Sequence, residues 1–289
     1  MTTRPVLSAP RWAEALWSWA STRWPGRVGL GTLAVIVRLE IFDRAMTLAA
    51  QLFTSIFPLL IMMAVLLGRT FDEKLAEVVK VPDEVAKVLN EAISGSSVNA
   101  FGLVGALIVL VSTTSLARAF TRAYATIWGR PRPRSNPRHA WRWLVAVLVL
   151  AFSVVVIRLL ERAAWEAPAP YFTVALVTLI ADFGGALFLP WVLTARQIPA
   201  RLLAPGALLY AAAMLILRPA GAFYLPHALD VSAARFGTIG VAFTYIGWLY
   251  VLSFAYLLTA AAGQVIATDP GRLGRWIRGI RSARPSPTA

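Results

Sequence analysis

Long uncharged apolar runs alternate with shorter charged connectors along this chain, and that alternation predicts a bundle of membrane-crossing helices. One crossing takes about 20 apolar residues at a rise of about 1.5 Å each. Six runs qualify: about residues 45–67, 100–117, 141–160, 171–195, 202–217 and 237–267. The first has no charge and is interrupted only by Pro58. A kink is expected there, because neighbouring groups in a membrane helix can re-satisfy the carbonyl that proline frees. The helical pattern of the second run continues past Ala117 to Trp128.

The connectors carry patterns of their own. In the N-terminal segment, residues 1–44, Trp12, Leu16, Trp19 and Ala20 recur at helical spacing, with Trp24 beyond. That spacing predicts a short amphipathic helix at the membrane interface, ended by Pro25 and Gly26. Residues 29–42 are apolar but hold Arg38 and Glu40, and read as a second, surface-lying or elbow helix. In residues 68–99, Leu75, Val78 and Val79, then Val85, Val88 and Leu89, recur at spacings of three and four on either side of Pro82. This predicts an amphipathic helical hairpin between spans one and two. Residues 268–289 form a basic tail, expected to be disordered.

Charge turns the helix count into a topology. With alternate connectors on opposite sides, 20 of the 28 Lys and Arg residues fall on the side of the N-terminus, residues 118–142 and the C-terminal tail. Nine acids fall on the other side, and Asp182 alone is mid-span. The positive-inside rule then places both termini in the cytoplasm and the 68–99 hairpin outside it. The expected fold class is all-α: a polytopic bundle of about six spans, N-in and C-in.

Composition adds three points. At 58% hydrophobic residues, with a mean hydropathy of +0.66, the chain exceeds soluble norms. It has no cysteine, which excludes disulfides and thiolate chemistry. Three lysines accompany 25 arginines, a bias that associates with GC-rich bacterial genes and so with a bacterial inner membrane. The net charge of +14 would point to nucleic acid in a soluble protein. Here it reads mainly as the arginine anchor of one membrane face.

The polar residues inside the apolar runs are the candidate chemistry. Asp182 sits near the middle of span four, within Ala181-Asp182-Phe183-Gly184-Gly185. A charge there costs about 2.5–3.5 kcal/mol on insertion scales, so it must face the interior, find a partner or be protonated. Gln51, Thr54 and Ser55 form a polar patch one turn before Pro58, able to line a cavity or to bond helix to helix. Ser112, Thr113, Thr114 and Ser115 close span two, bonding back to their own helix or lining a pathway. Arg158 and Arg218 are expected at the outer ends of spans three and five, snorkelling or paired with Glu161 and Asp230. Arg118, Arg122, Arg130, Arg132, Arg134 and Arg138 form a basic belt, set by topology or able to contact anionic lipid headgroups.

Three stretches resemble the YihY/BrkB family of bacterial inner-membrane proteins. They are the run Leu48 to Leu60 with its Ser55-Ile56-Phe57-Pro58-Leu59-Leu60 core, Ser115 to Phe120 continuing to Ile127-Trp128, and Phe236-Gly237-Thr238-Ile239-Gly240 with Trp248-Leu249-Tyr250 and Gly263 beyond. The resemblance covers roughly residues 25–270. Ala125, Thr126 and Gln264 depart from the family pattern. The resemblance implies an envelope or lipid-related role, and an older label of ribonuclease BN. The residues oppose a nuclease. His139 and His227 fall on opposite faces in the predicted topology, so they cannot share a metal, and the cytoplasmic carboxylates are scattered.

The reading is therefore transport or flipping of a lipid or amphiphile, with a non-catalytic envelope scaffold as the alternative. No enzyme activity, cofactor or metal is expected. Membrane lipids with anionic headgroups are the expected partners, with a second copy or an envelope protein beside them, and no nucleic acid.

Overall fold

The computed structural model describes residues 23–67, 98–131, 157, 160, 164 and 169–279. The interfacial helix expected around Trp12, the 68–99 hairpin, most of span three and residues 280–289 lie outside the described residues. Six helices make up the described chain: α1 (Trp24–Arg38), α2 (Ile41–Leu67), α3 (Val98–Ile127), α4 (Pro170–Leu193), α5 (Ala200–Thr268) and α6 (Arg272–Arg278). Of these, α4 and α5 are long and apolar enough to cross a membrane.

Pro25 lies in the first turn of α1. The first turn suits it, because its missing N–H would have no partner there and its φ is already helical. Pro219 and Pro226 lie inside α5, so the helix that holds span five runs on from Leu217 to Phe236. Backbone direction reverses at Gly237, whose φ of 61° and ψ of −145° lie in a region natural to glycine. The helix α2 includes Pro58, where the kink is expected.

Gly237 thus divides α5 into two antiparallel limbs, 200–236 and 238–268. Gly206 lies against the backbone of Ala260 and Gly263, Gly221 lies under the Trp248 ring, and Thr244 Oγ1 stands 2.7 Å from Ser232 Oγ. Small residues at these crossings let the two backbones approach closely. The limb 238–268 then serves as the post on which α1 and α2 climb in succession. Arg27 Nε lies 3.6 Å from Asp269 Oδ1, Gly31 faces Val265, and the Phe42 and Phe254 rings stack at 5.0 Å. Leu39 and Glu40 make the elbow between α1 and α2, with Glu40 at φ 49°. The Arg44 Nε donates to the Leu39 carbonyl at 2.7 Å and ties the elbow down.

The close-packed core sits at one end of the bundle. Leu39, Ile41, Leu48, Ile127, Leu193, Ile198, Leu203 and Leu257 are buried there. Part of the basic C-terminal tail, read from the sequence as disordered, forms α6 beneath this end. Its Gly274 and Ile277 are buried, and Arg278 Nη1 donates to the Ala267 carbonyl at 2.6 Å. Toward the Gly237 tip the apolar side chains turn outward: Ile216 is 72% exposed and Phe223 89%. A soluble monomer rarely shows so large an apolar surface, whereas a bilayer accepts it.

Candidate functional site

Asp182 is the thirteenth of the 24 residues of α4 and lies in the most apolar helix of the fold. Its carboxylate accepts from Arg218 of α5, whose Nη2 stands 2.7 Å from Oδ1 and 2.8 Å from Oδ2. The pairing follows from helix geometry. A helical Cα–Cβ bond tilts toward the N-terminus, so a long side chain at 218 drops back along its own helix to the depth of Asp182. Arg218 is therefore not at the outer end of a span, as the sequence suggested, because α5 continues for another 18 residues before Gly237. The pair is not sealed: the Asp182 side chain is 15% exposed and that of Arg218 36%.

Below the pair an aromatic box fills the bundle. Tyr256 of α5 meets Tyr210 edge-on at 5.0 Å, Phe120 edge-on at 5.5 Å and Tyr124 at 5.8 Å. Tyr210 lies within electrostatic reach of both Asp182 and Arg218. The Tyr256 hydroxyl lies within electrostatic reach of the Tyr124 and Tyr210 hydroxyls, and the buried Ser253 Oγ and Trp128 Nε1 have no hydrogen-bond partner among the described residues. An unmade hydrogen bond costs about 1–3 kcal/mol each.

The other polar candidates separate from this pair. Ser115 Oγ of α3 donates to Gln51 Oε1 of α2 at 2.7 Å, and Ser55 Oγ donates to the Ser112 carbonyl at 3.3 Å. These two bonds join α2 to α3. Thr54 instead bonds back to its own helix, at 3.0 Å from the Ala50 carbonyl, and is exposed. Gln51 and Ser55 therefore act as interhelical bonds, Thr54 does not join them, and none has Asp182 as its hydrogen-bond partner. A double-mutant cycle on Gln51→Ala and Ser115→Ala is expected to give a coupling of about 0.6–1.7 kcal/mol, the range of membrane interhelical bonds. Additive losses in unfolding free energy would show that the bond contributes nothing.

Arg118 and Arg122 are exposed on one stretch of α3, and Arg130 is exposed just after it. Arg132, Arg134, Arg138, Arg158 and His139 lie outside the described residues. His227 is exposed on the opening limb of α5. Among the described residues no three His, Asp or Glu side chains gather in a metal-binding group.

Sequence reasoning found Asp182 and missed Arg218 as its partner. A readable signal was present: the residues from Pro219 to Pro226 carry no charge, so the helix could be read on past Arg218. It also missed the buried Asp269, which accepts from the Gly271 N–H at 2.8 Å and faces Arg27.

The family model described as virulence factor BrkB matches residues 32–274. All three sequence stretches singled out above fall inside that match. No curated protein and no solved structure matches the chain.

Proposed function

The chain belongs to the BrkB family, and from that membership we propose that this integral membrane protein moves a lipid or another amphiphile across the bacterial inner membrane in support of the cell envelope. In this reading about six spans cross the bilayer, both termini are cytoplasmic, and no bond-making chemistry is involved. The observation that carries it is the Asp182–Arg218 pair. An ion pair inside an apolar bundle is an expensive way to hold two helices together, since well-packed apolar residues of similar volume often do so as well or better. Ionisable residues at membrane depth mark substrate or ion paths. The partial exposure of both side chains leaves the pair within reach of a polar headgroup.

The outward-facing Phe223, Phe236 and Phe243 on the α5 hairpin favour a second reading, a scaffold that docks an envelope protein on this surface. Reconstitution separates the two. Liposomes holding the purified protein and a fluorescent phospholipid should exchange the label between leaflets faster than protein-free liposomes. The Asp182→Asn, Arg218→Gln double variant, folded but without the charge pair, should return exchange to the protein-free rate. No acceleration with phospholipids or with polyisoprenyl phosphates, together with a stable co-purifying protein, would sink the transport reading in favour of the scaffold.

A further inference from the structure

The two limbs of α5 line an open groove of about 1000 Å³, with walls that include Tyr224, Val231, Phe236, Phe243, Gly247 and Trp248. Along the second limb it extends from Ile239 to Val251, about 18 Å at the helical rise. Two of its hydroxyl groups, those of Ser232 and Thr244, are bonded to each other, and the rest of the lining is apolar apart from the polar atoms of Tyr224, His227 and Trp248. The end near Val251 approaches the charged centre: Trp248 packs over Gly221, and Arg218 is one helical turn from Gly221.

We propose that this groove binds one phospholipid, its acyl chain lying along the α5 limbs and its phosphate on Arg218. The inference rests on the transport reading and names its substrate class. The groove lies in a helix apolar enough to cross a membrane, where acyl chain is the surrounding medium. It is concave, so it holds a chain where a flat helix face only wets one. A guanidinium recognises a phosphate as it does a carboxylate, through paired N–H donors. Phosphate and Asp182 therefore share Arg218, and the bound lipid points its headgroup toward the packed, basic end and its tail toward Gly237. That is the orientation of a lipid drawn from the leaflet at the basic end.

Gly247 supplies the test. It lines the groove, and a Cβ built on it meets nothing within 4 Å, so a side chain can start there and a large one occupies groove volume. The full-length protein is reconstituted with a phospholipid carrying a photoactivatable diazirine in its tail, and the labelled peptides are mapped. In the wild type, label should concentrate on 224–251. In Gly247→Trp it should fall about tenfold, the change that a loss of about 1.4 kcal/mol produces. Leu176→Trp, on the outward face of α4, should leave the labelling as it is. A diacylglycerol bearing the same tail and no phosphate should label the groove several-fold less than the phospholipid. Equal labelling in Gly247→Trp and wild type, label spread over all outward helix faces, or no phosphate dependence would overturn the proposal. Groove labelling without leaflet exchange would leave the lipid site standing and remove transport. Leaflet exchange in Gly247→Trp at the wild-type rate would keep transport and remove the groove from it.

Discussion

Asp182→Asn should lower the unfolding free energy of the protein by about 2 kcal/mol. Removing one partner of a fully buried ion pair costs about 3–5 kcal/mol because it strands the other charge. Here Arg218 is 36% exposed, so water or headgroups soften the loss and the lower figure applies. Arg218→Gln should cost a similar amount by removing the guanidinium that donates to both Asp182 oxygens. The double variant Asp182→Asn, Arg218→Gln should recover much of the stability lost in either single variant, since two amides can hydrogen-bond across the same gap without an uncompensated charge between them. The measurement is chemical or thermal unfolding in bicelles, read as a double-mutant cycle. A single-variant loss below about 0.5 kcal/mol, the scale of an ordinary surface change, would show that the pair does not hold α4 to α5. The cycle also protects the functional test, because the double variant separates loss of charge from loss of fold.

Gly263→Ala should be strongly destabilising, at about 3 kcal/mol, the upper end of the usual cost of overpacking. The added methyl would collide with the backbone nitrogen and Cα of Gly206, and it would stand 3.3 Å from the Pro205 carbonyl carbon. Backbone on the facing limb cannot rotate aside as a side chain can. The two limbs would have to separate where the core is densest, around Leu203, Ala207, Ala260 and Ala261. Gly29→Ala is the contrasting case. It lies in α1 with nothing within 4 Å of the new methyl, so it should gain about 0.5–1 kcal/mol from the better helix propensity of alanine. Unfolding midpoints of the two variants, measured side by side, check both signs. A stable Gly263→Ala protein would mean that the limbs do not meet at Gly206.

Much of the helical layout is legible in the residue pattern. Span two was read as a helix continuing to Trp128, and α3 ends at Ile127. Span four was read as 171–195, and α4 covers Pro170–Leu193. The stretches Leu48 to Leu60, Ser115 to Phe120 and Phe236 to Gly240 stood out before their places were known. In the fold the first two supply buried Leu48, Ala49, Leu116, Ala117 and Ala119, and the third forms the hairpin tip. Gln51 and Ser55 were read as cavity lining or interhelical bonds, and their partners Ser115 and Ser112 select the second.

Local pattern determines helix and medium, because a helix satisfies its own backbone within a few residues and an uncharged run of about 20 can rest only in lipid or a large core. From that logic alone follow a helical membrane protein and the need of Asp182 for a partner. Which partner it takes is a matter of register between two helices, and register is set by contacts far apart in the chain. Gly206 against Gly263 and Gly221 under Trp248 align the limbs of α5, and the packing of α4 beside them brings Arg218 to Asp182. The continuation of α5 through Pro219 and Pro226 belongs to the same class of decision. Proline removes a hydrogen bond locally, and only a neighbouring helix can make the unbroken path the favourable one.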